Sequence, residues 1–233
     1  MEQFFNFGKD LRRTTLLGPN LLSEENKSML VIAKDKSEIV SFIRKLKNDV
    51  ESSSVNFDIV CVERVISSFE DVKPANNIYQ SKNCRNIKEL LLSLVNYANE
   101  CKTLITKARC KSLSEYNIKY KEFDRCRTIV IIPEFDKYLK SDDVRLVKEC
   151  ISSLVKLERY SGVSVIVCSL LDIGSDIDFK FLNIFSNRVL FNVGNDEAVR
   201  DISLGMYRST EMLGSNEFYY FSFDGLNGMM MTV

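Results

Sequence analysis

Two short stretches of the chain carry residue types suited to phosphate chemistry. The first is Ala33-Lys34-Asp35-Lys36-Ser37, which follows the apolar run Ser28 to Ala33 (SMLVIA). A lysine followed by Ser or Thr, at a helix start after a glycine-rich turn, is how a loop holds the phosphates of a nucleotide. The Lys36-Ser37 pair is present, but the G-x-x-x-x-G-K-S pattern needs glycine where Leu30 and Asp35 stand. Without glycine the backbone does not readily reach positive φ angles or approach phosphate closely. Asp35 also places a carboxylate where phosphate would lie. The plainer reading is that Asp35 caps the following helix while Lys34 and Lys36 point into solvent. Lys34, Asp35, Lys36 and Ser37 are therefore the candidate remnant of a nucleotide site.

The second stretch is Ile129-Val130-Ile131-Ile132-Pro133-Glu134. Four apolar residues followed by an acid that holds the magnesium shell, often with a glutamate next to it, form the Walker B element of nucleotide hydrolases. Pro133 occupies the position of that acid, and Glu134 is left as a Walker B remnant, the one candidate catalytic base. Its alternative role is an ordinary solvated or ion-paired strand-end glutamate. With both stretches altered, magnesium-dependent hydrolysis is not expected, and neither is ATP or magnesium as a cofactor. Other chemistries are excluded by residue type. The chain has no histidine, which removes Ser-His and Cys-His nucleophiles. Its seven cysteines are scattered without a C-x-x-C pair, so they read as reduced thiols, and no metal site is expected.

The elements that must position these residues alternate in kind. Ser28 to Ala33, Phe57 to Val62, Thr128 to Ile132, Val163 to Cys168 and Arg188 to Val193 are short continuous apolar runs, as buried parallel strands require. Between them, Ile39, Phe42, Ile43, Leu46 and Val50 share one helical face, and Ile87 to Ala108 repeats the pattern over a long helix. Val144, Val147, Ile151 and Leu154 give another such face, and a short helix is expected around Phe179 to Phe185. Glu217 to Phe223 and Gly228 to Val233 read as a terminal hairpin. This alternation predicts an α/β fold, a mostly parallel sheet with helices on both faces, whose ligands would lie beyond the carboxyl ends of the strands.

At 233 residues, 45% hydrophobic and 27% charged, with no Pro-rich or Gly/Ser-rich linker, the chain reads as one domain over 1–233. No apolar run reaches the roughly 20 residues that span a bilayer, and the start has no basic stretch of the secretory kind. Thirty-two basic residues balance thirty-two acidic ones, so the bulk attraction that non-specific nucleic-acid binding relies on is missing, and no nucleic acid is expected as a partner.

The order of local words resembles the FtsK/SpoIIIE family, and most closely the last ATPase domain of EssC-type proteins of type VII secretion. Asn6-Phe7-Gly8-Lys9-Asp10 is similar to the family's "IGLD" opening. Ser112 to Asn117, read as closing the long helix, resembles "NIxxYN", and Ile129 to Phe135 resembles "VVIVDEF" with its Asp replaced. Leu157 to Val163 is similar to "ARxGRAAGIH", keeping Arg159 and Gly162, and Arg188 to Val193 is similar to "RIAFRV". Val199 to Ile202 and Met212 to Gly214 resemble "SRTIL" and "LLGxGDML". The Thr-Gln sensor of the family is replaced by Ser169-Leu170.

The resemblance implies a RecA-like P-loop NTPase fold and a place in a larger, membrane-anchored secretion protein on the cytoplasmic side of a bacterial membrane. The membrane would be met only through that full-length protein. It implies as partners secreted substrates of the WXG100 kind and the adjacent ATPase domains of the same polypeptide. The expected role is a degenerate ATPase-like domain that recognises substrate and contacts its neighbours. Ile173, Ile177 and Phe179, set among Asp172, Asp176 and Asp178, are the candidate partner-binding residues. The alternative is a weakly active ATP-binding, hydrolysing translocase domain, with Lys34 or Lys36 on phosphate and Glu134 as base.

Overall fold

The computed structural model describes residues 9–10, 13–16, 27–51, 57–62, 78–80, 87–121, 127–170, 179–193, 210–215, 217–222 and 229–232. A two-stranded antiparallel ribbon, β1 (Lys9–Asp10) and β2 (Arg13–Leu16), precedes the main body. The chain then runs β3 (Met29–Ala33), α1 (Lys36–Glu51), β4 (Phe57–Cys61), β5 (Ile78–Gln80), α2 (Ile87–Lys107) and α3 (Leu113–Lys119). It continues through β6 (Arg127–Ile132), α4 (Asp136–Leu139), α5 (Val144–Ser161), β7 (Val163–Leu170), α6 (Phe179–Leu182) and β8 (Asn187–Leu190). A 3-10 turn (Thr210–Met212) precedes the closing hairpin of β9 (Glu217–Ser222) and β10 (Met229–Thr232).

Eight strands form one sheet in the order β10-β9-β8-β3-β7-β6-β4-β5. The six from β8 to β5 are parallel, and β9 and β10 add an antiparallel edge. Alternation along the strands divides the core in two. Met29, Val31 and Ala33 join Ile39, Phe42, Ile43 and Leu46 of α1 on one face. Leu30 and Ile32 face the other side, where Val130, Ile132 and Val165 meet Leu91 and Ala98 of α2 and Ile151 and Leu154 of α5. Both faces are covered, which is why the strands are apolar throughout. Among the described residues no helix is long and apolar enough to cross a membrane.

Two details differ from the sequence expectation. Ser112 to Asn117 does not close the long helix; it opens α3. Arg109 takes φ 56° and ends α2, and the Ser112 hydroxyl then accepts the Glu115 amide as a new N-cap. The strand β5 has only three residues, too few to leave a readable pattern.

The opposite, amino end of the strands is tied by a buried polar knot. Glu158, at the end of α5, accepts from the amides of Lys27 and Ser28 and from the hydroxyls of Ser28 and Ser164, at 2.7 to 3.3 Å. The Lys27 ammonium lies 3.5 Å from the same carboxylate, both side chains almost wholly buried. Ser28 Oγ also accepts the Val165 amide, joining β3 to β7. Arg188 of β8, wholly buried, donates to the carbonyls of Leu182 and Phe185 and to Asn183 Oδ1; burial brings its pKa down to about 10.

Candidate functional site

The loop after β3 and the loop after β6 both lie at the carboxyl edge of the sheet, with β7 between their strands. Leu30, one of the two positions where a phosphate loop needs glycine, is wholly buried inside β3 and works as core. The chain turns at Lys34 and Asp35, both exposed, and enters α1 at Lys36.

That turn is closed from within. The Asp35 amide donates to the Glu38 carboxylate at 3.4 Å, and the Glu38 amide donates to the Asp35 carbonyl at 3.2 Å. A residue three places into the helix thus reaches back over the cap, half of a capping box. Glu38 is absent from the sequence-derived candidates, although D-x-x-E at residues 35 to 38 is its signal. Burial raises its pKa and the nearby Asp35 charge adds to that, against the amides of Asp35 and Lys34. A carboxylate of the chain itself therefore takes up amide donors that in a phosphate loop face the ligand.

Glu134, mostly buried after the strand β6, is held from two sides. Lys36 Nζ lies 2.9 Å from its Oε1, and Lys137 Nζ pairs with Oε2. Burial pushes the Glu134 pKa up, but the hydrogen bonds and charges of Lys137 and Lys36 outweigh it and hold the carboxyl below its usual range. Lys36 is half exposed but is not the solvated side chain expected from the sequence, because Glu134 supplies a partner 98 residues away. Lys34 is exposed as expected, and Ser37 is exposed too.

The exit from β6 is firmly placed. The Phe135 amide donates to the Cys168 carbonyl at 2.9 Å, and Asp136 Oδ1 accepts from the Leu170 amide at 3.1 Å. Phe135, wholly buried, stacks on Phe181 of α6 with centroids 5.3 Å apart. Asp136 and Lys137, which have no place in the sequence reading, thus matter to this edge. Of the partner-binding candidates, Ile173 and Ile177 lie outside the described residues, and Phe179 opens α6. The words at Asn6 to Gly8 and Val199 to Ile202 also lie outside the described residues. Among the described residues no group of three or more acidic, Cys or His side chains is placed to hold a metal ion.

A mostly parallel sheet with β7 inserted between the lysine-bearing strand exit and the glutamate-bearing one, and helices on both faces, is the P-loop NTPase fold class. Within that class the chain has the fold of the FtsK/SpoIIIE-type ATPase domains of EssC and EccC. The pCW3 conjugation coupling protein TcpA, solved with ATPγS, superposes with TM-score 0.71 at 14% identity, covering 94% of this chain and 62% of that one. The cytoplasmic domain of the type VII secretion ATPase EccC from Thermomonospora curvata also gives 0.71 at 14% identity, covering 99% of this chain and 29% of that one. A second structure of that EccC, ATPases 2 and 3 in complex with a signal sequence peptide, gives 0.68 at 10% identity, covering 97% and 39%. The cytoplasmic domain of EssC gives 0.61 at 13% identity, covering 100% and 44%. The chain therefore spans less than two thirds of each of these structures. No protein-family model and no curated protein matches the sequence.

Proposed function

We propose that this chain is a degenerate ATPase-like domain of a type VII secretion-type motor, serving protein-substrate recognition and contact with neighbouring ATPase domains rather than ATP turnover. The observation that carries this reading is the state of Glu134: its carboxylate is shared between Lys36 and Lys137 while proline stands where a magnesium ligand is needed. The donor set does not fit Mg·ATP. The lysine that would meet phosphate is neutralised by a carboxylate of the chain, the loop amide of Asp35 is engaged by Glu38, and the acids around the loop oppose a polyanion. A chain that keeps the fold and fills its own ligand edge is suited to a surface role.

On this reading the domain belongs to a longer polypeptide with further ATPase domains, held at the cytoplasmic side of a bacterial membrane. Its substrates are secreted proteins of the WXG100 kind, in keeping with the signal peptide bound to the EccC relative. The segment 171–179, which follows β7 in the sequence and carries Ile173, Ile177 and Phe179, is the proposed contact. Titration calorimetry with a substrate signal peptide, comparing wild type with an Ile173→Ser/Phe179→Ala variant, tests it. Saturable binding lost in a folded variant is expected; unchanged binding moves the interface elsewhere, and no binding to substrate or neighbour domain refutes the module.

One observation favours the second reading, an active ATPase with an unorthodox loop. Lys36 is half exposed at the start of α1, so its ammonium can leave Glu134 for a stronger anion. Saturable Mg·ATP binding that depends on Lys36 would establish it.

A further inference from the structure

The chain is neutral as a whole but not evenly so. Between Cys101 and Lys121 the sequence carries six basic residues, Lys102, Lys107, Arg109, Lys111, Lys119 and Lys121, against one acid, Glu115. The structure gathers them where the end of α2, the turn at 109–111 and α3 meet the end of α5, away from the carboxyl edge of the sheet. The links are specific. Lys119 Nζ donates to the Ala108 carbonyl at 2.9 Å, the Arg159 guanidinium donates to the Lys111 carbonyl at 3.1 and 3.3 Å, and Lys102 of α2 lies over the Tyr160 ring of α5. All six basic side chains are exposed, and none is in an ion pair with a described residue. The single acid, Glu115, is exposed as well, its carboxylate accepting the Lys111 amide at 2.6 Å. On α3, next to Lys119, is Ile118, 74% exposed, the most exposed of the large apolar side chains described.

We infer that this α2–α3 corner docks on an anionic lipid surface, with Ile118 entering the headgroup boundary and the surrounding lysines and Arg109 meeting lipid phosphates. Complementarity of charge selects an acidic partner, and the projecting aliphatic side chain selects one with an apolar interior beneath its charge. A nucleic acid would offer the charge without the apolar interior. Among the described residues, the rings at this corner that could stack on bases are already engaged: Lys102 and Arg159 lie over Tyr160 at 5.8 and 5.1 Å, and Tyr120 is met by Tyr116 and by Lys119. The inference stands independently of how the nucleotide edge is read.

The test is cosedimentation of the 233-residue chain with vesicles of phosphatidylcholine alone and with added phosphatidylglycerol, at low and high salt. Binding to the anionic vesicles only, weakened by salt, is expected. A Lys107→Glu/Lys111→Glu variant should lower the partition coefficient at least about tenfold, and Ile118→Ser should lower it severalfold while leaving the salt dependence in place. Both changes are on exposed side chains, and an unchanged melting curve verifies the fold. Wild type that ignores anionic vesicles, or folded variants that bind them like wild type, would overturn the inference. So would tighter binding to duplex DNA than to vesicles in a competition at equal phosphate, which would assign the corner to nucleic acid.

Discussion

Glu134 and Glu158 are both largely buried glutamates with a lysine partner, one at each end of the same sheet, and their surroundings separate site from scaffold. Glu158 is enclosed with Lys27, and five groups of the chain converge on its two oxygens. Glu134 is held by two lysines whose own side chains are about half exposed. A charge buried in a complete network cannot lose a member without leaving the rest unpaired. A charge held by mobile, solvated partners can exchange them cheaply. The fold is therefore anchored at the amino end of its strands, while the carboxyl end, where ligands of this fold class bind, is held by partners that exchange more cheaply.

The largest break expected is at Glu158. Its replacement by alanine removes the buried carboxylate that the Lys27 ammonium and the Ser28 and Ser164 hydroxyls share, and should cost about 3–5 kcal/mol in urea unfolding. Next comes Gly162→Ala. Gly162 sits at φ 67°, and an added Cβ would lie 2.6 Å from Leu113 Cδ2, so strain and clash together should cost about 1–3 kcal/mol.

Glu134→Gln should change stability by no more than about 1 kcal/mol, because its partners are screened by water. Its signature is in pH. With the folded pKa of Glu134 lowered, its contribution is present above the unfolded carboxylate value and is lost as pH falls through the folded value. Denaturation midpoints should therefore fall less steeply for the glutamine variant than for wild type between about pH 6 and pH 3. Smallest of all is Lys36→Ala, expected within about 1 kcal/mol of wild type in the same assay, since Lys137 still holds Glu134.

Much of this was legible in the sequence because buried parallel strands announce themselves as unbroken apolar runs. The runs at Ser28, Phe57, Thr128, Val163 and Arg188 became β3, β4, β6, β7 and β8, with α1, α2 and α5 between them and the terminal hairpin in place. The break between α2 and α3 was hidden, because Arg109 makes the left-handed turn that glycine usually signals. At the site, the missing glycines and Pro133 were plain in the residue types. The pairing of Lys36 with Glu134 was not, since strand order alone brings residues 98 apart into contact. The neutral total likewise concealed the basic corner at α2 and α3, because a sum of charges carries no positions.

On the proposed reading the carboxyl edge is filled by Glu38 and Glu134 and takes no nucleotide. Isothermal titration of Mg·ATP into the wild-type chain, repeated with Lys36→Ala, tests it most directly. No saturable heat is expected from either protein. Saturable binding to wild type that weakens about tenfold or more in Lys36→Ala would contradict it, returning Lys36 to phosphate and the domain to the active ATPases.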